Sequence, residues 1–274
     1  MENKINLREE FPTVMDRAYA QFKKHRFVKD IMTRDVTTIP LEASMAEATR
    51  VMGAKHIGSL IVESDGKPLG IVTERDLLSK VLVKGKNPKK ISVREVMSAP
   101  LITIEPEATI KEAARTMFSK KGRLAVFRGG ELVGIITAAD LIRSLPETSE
   151  TLLKVDDVMT KRVVMVPSNT SVEEVAQIMG EKRIGSVLVT RRGKPFGIFT
   201  ERDLLTTFIT RGKPLKTQVG KAVSSPLITI PSGTSIHQTA LTMALKHIRR
   251  LPVVKNKEIV GIITARDLAE AYAK

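Results

Sequence analysis

Asp76, Asp140, Asp203 and Asp267 each stand three residues after a threonine, in the stretches G-I-V-T-E-R-D (70–76), G-I-I-T-A-A-D (134–140), G-I-F-T-E-R-D (197–203) and G-I-I-T-A-R-D (261–267). An ionised aspartate can accept hydrogen bonds from two neighbouring hydroxyls at once, the arrangement that a ribose presents. Thr73, Thr137, Thr200 and Thr264 add a hydroxyl to each site. A helix opening at the same place adds free N–H groups and the positive end of a dipole, which suit a phosphate. Thr-x-x-Asp also reads as an ordinary helix start. Against that plainer reading, the other four helix starts pair a hydroxyl with Glu or Gln, as Ser44/Glu47, Thr109/Glu112, Ser171/Glu174 and Ser235/Gln238. That is the reciprocal capping box, in which each side chain meets an orphaned backbone N–H. The four Thr-Asp pairs depart from it, and on this contrast they are assigned to a ligand.

Phosphates call for cations, preferably a planar guanidinium able to make two bonds. Arg75, Arg202 and Arg266 directly precede the aspartate in three stretches, and Ala139 stands in the fourth. Any single one of these arginines reads equally well as a solvated charge. For catalysis the chain offers little. It has no cysteine, no phosphate-binding G-x-x-x-x-G-K-[ST] loop and no H-E-x-x-H pair, and its histidines, His25, His56, His237 and His247, form no metal-like pair in sequence. The residues argue for binding without turnover, so the chain is not expected to be an enzyme.

The elements that position these residues repeat with them. The aspartates are 63 or 64 residues apart, the mark of an internal repeat. The first copy starts V-K-D-I-M-T-R-D-V-T-T-I-P, continues into a capped helix carrying Met45, Ala48, Val51 and Met52, and then a strand, I-G-S-L-I-V (57–62). A turn at Asp65 to Pro68 leads into the motif strand and a second helix through Leu77, Leu78 and Val81. Each unit is therefore strand, helix, two strands, helix. The units span 28–82, 93–145, 155–210 and 219–273. The first and third share I-G-S and T-E-R-D-L-L, and the second and fourth share P-L-I-T-I and G-I-I-T-A. This alternation reads as a duplicated two-unit block, with each consecutive block expected to form one compact module joined by residues 146–154. Residues 1–27 lie outside the repeat. Val14, Met15, Ala18, Tyr19 and Phe22 predict a short amphipathic helix that packs on the repeats, with a partner-binding helix as the alternative.

Four copies of a [D/E]-x-M-[T/S]-like start, a capped helix, an apolar strand pair and G-I-x-T-x-x-D resemble the CBS domain, the cystathionine-β-synthase-type repeat. The likeness covers about residues 28 to 273. It implies an α/β (α+β) fold of four βαββα repeats paired into two Bateman modules, with clefts that bind AMP, ADP, ATP or S-adenosylmethionine as a regulatory ligand rather than a catalytic cofactor. It gives the Thr and Asp positions the ribose and phosphate roles argued above. It adds Arg123, Arg249 and Arg250, at the entry to the middle strand, as phosphate contacts, and Val36, Leu101, Val163 and Leu227 as the adenine wall. Units one and three have Gly58-Ser59 and Gly185-Ser186 at the strand entry instead. Two departures from the pattern are Ala222-Val223 in the fourth start, where the others have Val-Met or Ile-Met, and Ala139. The resemblance makes a homodimer of disk-like assemblies the expected oligomer, signalling to a protein partner.

The bulk numbers, 274 residues and 42% hydrophobic content, agree with a soluble, folded chain. The formal charge of +15 favours anionic partners. No apolar run approaches the length needed to cross a bilayer, so no membrane partner is expected and the cytoplasm is the expected location. A second reading, from another class, is a nucleic-acid-binding or scaffold protein. It rests on basic connections at Lys80, Lys84, Lys86, Lys89 and Lys90, and again at Arg211, Lys213, Lys216 and Lys221. With two tyrosines and no tryptophan, such binding would be to the nucleic-acid backbone rather than by base stacking.

Overall fold

The computed structural model describes residues 26–120, 122–144 and 152–273. The helix expected over residues 14–22 and most of the 146–154 connection lie outside them. Each repeat folds in the expected order behind a short lead-in. In the first, helix α1 (Val28–Ile31) precedes β1 (Thr38–Pro40), α2 (Met45–Ala54), β2 (Ser59–Ser64), β3 (Lys67–Thr73) and the helical turn α3 (Glu74–Asp76). The second has α4 (Val93–Val96), β4 (Thr103–Ile104), α5 (Ile110–Ser119), β5 (Leu124–Arg128), β6 (Glu131–Ile136) and α6 (Ala138–Arg143). The third has α7 (Val155–Val158), β7 (Met165–Pro167), α8 (Val172–Glu181), β8 (Ser186–Arg191), β9 (Lys194–Thr200) and α9 (Glu201–Asp203). The fourth opens with a 3-10 turn (Val219–Lys221), then β10 (Ile230–Pro231), α10 (Ile236–Leu245), β11 (Arg250–Lys255), β12 (Glu258–Thr264) and α11 (Ala265–Ala273).

Among the described residues these strands form four three-stranded sheets of one design, with the first strand parallel to the second and the second antiparallel to the third. The parallel pair needs a crossover, which the capped helix supplies. The antiparallel pair is closed by two residues in left-handed backbone, Asp65-Gly66 in the first repeat (φ 52 and 72) and Arg192-Gly193 in the third (φ 51 and 75). Such turns match the twist of the strands they join.

The first and third repeats continue their second helix differently from the other two. After Asp76 and Asp203 the backbone widens into π-helix at Leu77–Leu82 and Leu204–Ile209, so that Val83 N–H donates to the Leu78 carbonyl and Thr210 N–H to the Leu205 carbonyl. The second and fourth repeats keep ordinary α-helix there.

Packing corrects the expected grouping. The two compact units join alternate repeats. One contains residues 35–101 and 161–229, the other residues 102–160 and 230–274 with the N-terminal segment through Arg34. The second helices drive this. In the unit of the first and third repeats, Leu205 packs into the first repeat's core beside Met45, Met52 and Leu77, and Leu78 packs into the third repeat's core beside Val175, Met179 and Phe208. In the other unit a single core runs from Ala113, Met117 and Leu141 to Met243, Leu268 and Ala269.

The lead-ins are exchanged between neighbouring repeats, which the repeat boundaries alone do not reveal. Residues 93–101 stay on the first repeat, where Ser98 pairs with Ile71, and residues 27–34 join the second, where Thr33 pairs with Ile135. Thr160 pairs with Ile262 and Ser224 with Ile198 in the same way. The motif glycine makes this possible. A β-carbon on Gly70 would lie 2.8 Å from the Ser98 carbonyl oxygen and 2.9 Å from the Met97 sulfur. Gly134 faces Met32, Gly261 faces Met159, and Gly197 faces Val223, the residue that departs from the methionine pattern.

Candidate functional site

All four Thr-Asp pairs lie at the strand-to-helix turn, and in all four the carboxylate accepts both the N–H and the hydroxyl of its threonine. Thr73 N–H and Oγ1 donate to Asp76 Oδ2 at 2.9 and 2.6 Å while Asp76 N–H returns a bond to Thr73 Oγ1 at 3.2 Å. Thr200 with Asp203 and Thr264 with Asp267 repeat the pattern, and Thr137 N–H and Oγ1 bond Asp140 Oδ2. This overturns the contrast drawn from sequence. Of the other helix starts, Thr109 with Glu112 closes the box, and the two hydrogen bonds donated by Thr109 N–H and Oγ1 hold the Glu112 carboxyl below its ordinary pKa. Ser44, Ser171 and Ser235 accept the expected N–H, and backbone carbonyls from outside each helix serve its first residues as well. Ile91 and Pro88 serve Met45 and Ala46, and Thr217 and Leu215 serve Val172 and Glu173. The Thr-Asp turns take such carbonyls as well, Gly58 serving Glu74, Gly185 serving Glu201 and Arg249 serving Ala265. The choice of Asp over Glu therefore does not by itself mark a ligand.

The second carboxylate oxygen distinguishes the repeats. Asp76 Oδ1 is held by Lys80 at 2.7 Å, and Lys80 also donates to the Val96 carbonyl, which removes this lysine from the basic surface where the sequence put it. Asp140 Oδ1 is taken by Arg143. Asp267 Oδ1 has no hydrogen bond among the described residues. Burial pushes the Asp267 carboxyl above its ordinary pKa, an effect partly offset by the bonds from Thr264 and by the nearby Arg266 guanidinium and reinforced by Glu270.

The arginines divide just as sharply. Arg75 Nε bonds Glu201 Oε1 at 3.1 Å, and Arg202 Nε bonds Glu74 Oε1 at 3.4 Å. These crossed pairs tie the first and third turns together, and both glutamates are buried, at 6% and 9% exposure. Arg75 and Arg202 are thus engaged inside their unit rather than held ready for a phosphate. Glu74 and Glu201 were the residues that the sequence reading missed. Their signal was visible, since T-E-R-D occurs only in the first and third stretches and Ala138 and Ala265 replace the glutamates in the others.

In the other unit, Arg250 pairs in register with Thr264 across β11 and β12, and the Arg249 carbonyl accepts Ala265 N–H at 2.9 Å. Both arginines therefore stand against the fourth turn, and the exposed Arg266 directly precedes Asp267. The strand register places Arg123 at the equivalent of Arg250, next to the second turn. The proposed adenine wall does not share this unit. Val36, Leu101, Val163 and Leu227, all half-buried, belong with the first and third turns. Among the described residues no group of three or more His, Asp or Glu is placed to hold a metal ion, and no helix is long and apolar enough to cross a membrane.

Comparison with known proteins gives the same architecture. The CBS domain model matches at residues 28–83, 93–147, 155–209 and 219–274. Uncharacterized protein MK0525 of Methanopyrus kandleri is 36% identical over 43% of this chain and 62% of its own length. Uncharacterized protein MJ1404 of Methanocaldococcus jannaschii is 30% identical over 90% of this chain, which again spans 62% of that relative. The crystal structure of MJ1225 from the same organism, titled as a proposed archaeal homologue of g-AMPK, superposes with a TM-score of 0.75 at 24% identity, covering 90% of this chain and all of that one. With four matched domains that together fill most of its length, the chain belongs to the CBS-domain family.

Proposed function

We propose that this protein is a regulatory sensor that binds an adenosine compound, AMP, ADP, ATP or S-adenosylmethionine, at the Thr-Asp turns of its CBS domains and passes the bound state to a protein partner. It acts without turnover, in the cytoplasm, as a homodimer. The observation that carries the reading is the fourth turn. There a half-buried carboxylate is held by Thr264 with one oxygen left unbonded among the described residues, beside Arg249, Arg250 and Arg266. A ribose diol supplies the missing donors, and the three guanidiniums suit a polyphosphate. Thr73, Thr137, Thr200, Asp76, Asp140 and Asp203 take the same role in the other turns, where a ligand must compete with Lys80 or Arg143 in the first and second. Arg123 gives the second turn its phosphate contact, and Val36, Leu101, Val163 and Leu227 form the apolar wall for adenine in the unit of the first and third turns. The likeness of the chain to MJ1225, titled as a proposed homologue of g-AMPK, is in keeping with a regulatory role. Calorimetry with the four ligands tests the proposal. Binding is expected at about micromolar to sub-millimolar affinity, roughly −5 to −8 kcal/mol, with the ligand recovered intact. No heat with any adenosine compound, or its rapid hydrolysis by pure protein, overturns it.

A further inference from the structure

Two basic loops in the unit of the first and third repeats leave the π-helical segments at equivalent places, K-G-K-N-P-K-K (84–90) and R-G-K-P-L-K (211–216). Both are built rather than loose. Gly85 and Gly212 share a left-handed φ of 63, and Lys86 and Lys213 donate N–H bonds back to Val81 and Phe208 at 3.0 Å. Beyond them, Pro88 and Leu215 carbonyls cap α2 and α8.

The fold then brings a second set of cations to each loop. Val83 packs on Gly180 near the end of α8, so the Lys84 loop meets the helix terminus that continues into Lys182 and Arg183. Thr210 packs on Gly53 near the end of α2 in the same way, and the Arg211 loop meets Lys55 and His56. Lys55 donates to Thr37 Oγ1, while Lys84, Lys86, Lys182, Arg183, Arg211 and Lys213 are exposed and make no ion pair among the described residues. Charges far apart in sequence are therefore gathered twice, each time at the negative end of a helix dipole that favours them.

We propose that these two basic corners bind the sugar–phosphate backbone of a nucleic acid without sequence preference. The cations are mostly lysines, which act as point charges on phosphate. A stacking platform is missing, because the chain has no tryptophan and the exposed large apolar residues, among them Phe27, Leu69 and Met165, are not in either corner. The same lack disfavours a membrane surface, which an interfacial element enters with apolar or aromatic side chains. This inference is independent of the adenosine reading, whose residues lie at the Thr-Asp turns.

The test is fluorescence anisotropy on the full chain with a labelled 20-nucleotide RNA, the same sequence as single-stranded DNA, and a DNA duplex, over a range of salt. Log K should fall linearly with log salt, since binding releases counterions. The variant Lys84→Glu, Lys86→Glu, Lys182→Glu, Arg183→Glu should bind at least about tenfold more weakly in 0.1 M salt and flatten the duplex slope by about 3. A control with equal charge change, Lys67→Glu, Lys161→Glu, Arg192→Glu, Lys194→Glu, should stay within about threefold, because charges beyond a Debye length of about 10 Å are screened. Circular dichroism should show both variants folded, as the altered side chains are exposed. Equal losses in the two variants, an unchanged slope in the corner variant, absence of binding to all three probes, or binding only to anionic vesicles each overturn the inference.

Discussion

Asp267 serves as a helix cap and as the proposed ribose acceptor, and the two roles ask different things of its charge. A cap needs only an acceptor, whereas the stronger bond to a diol needs the ionised form. Because burial raises its pKa, the folded chain holds this proton more tightly than the unfolded chain does. Stability from this group is therefore fully present below the ordinary value of 3.8 and is lost as pH rises through the raised value, so at neutral pH the carboxylate is a net cost. Asp267→Asn keeps an acceptor for Thr264 and should hold or raise the melting temperature at pH 7 while shrinking the shift produced by ATP. A clear fall in melting temperature without ligand would mean that the charge itself is the cap. Asp267→Ala should weaken nucleotide binding by about 1.5–3 kcal/mol, roughly tenfold to a hundredfold. Asp140→Ala should cost less, since Arg143 already occupies that carboxylate. Equal losses in calorimetry would refute the ranking of turns. The Thr-Asp residues were legible because their spacing recurs, but the fate of Arg75 and Arg202 was not. Their partners, Glu201 and Glu74, lie more than a hundred residues away, and no local pattern announces a crossed pair.

At the scale of elements, two helix glycines carry the contact between the first and third repeats. A β-carbon at Gly53 would lie 2.5 Å from Thr210 Oγ1, and one at Gly180 would overlap the Val83 side chain. The corresponding helix positions in the other unit are Phe118 and Ala244, so glycine at this position is confined to the pair that has π-helical turns. Gly180→Ala should destabilise by about 1–3 kcal/mol despite the better helix propensity of alanine, because overpacking a filled site costs more than the propensity returns. Adding Val83→Ala should recover part of that loss, giving a coupling energy in a double-mutant cycle by denaturant unfolding. Additive losses would place the strain elsewhere. The strands, hairpins and first helices were legible from alternation, turn residues and capping hydroxyls. The widened turns after Asp76 and Asp203 were not, because L-L-S-K-V-L and L-L-T-T-F-I have ordinary helical patterns. Within them Leu78 and Leu205 pack into the facing cores, a long-range contact that no local pattern announces.

For the molecule as a whole, the alternating similarity of the repeats was legible but its consequence was misread, since likeness between the first and third repeats marks the surfaces that meet rather than a copied block that folds alone. Each repeat also lends its lead-in to its neighbour in sequence, so the chain passes between its compact units at residues 34–35, 101–102, 160–161 and 229–230. A fragment ending at Thr151 keeps the exchanged lead-ins of the first two repeats but loses the helices on which their second helices pack. Its first repeat would expose Leu77, Leu78 and Val83, together with Glu74, whose partner Arg202 is gone. A second copy can replace what is missing. Gly53 accepts Thr210 in the full chain, and Val83 of another copy has nearly the same shape as that threonine. Arg75 of one copy can likewise meet Glu74 of the other in place of the crossed pairs. The fragment should therefore be a folded homodimer by light scattering, its melting temperature should rise with concentration, and Gly53→Val should dissociate it. A folded, soluble monomer would show that the helix faces do not need a partner, and that the contacts between alternate repeats are not what holds each unit together.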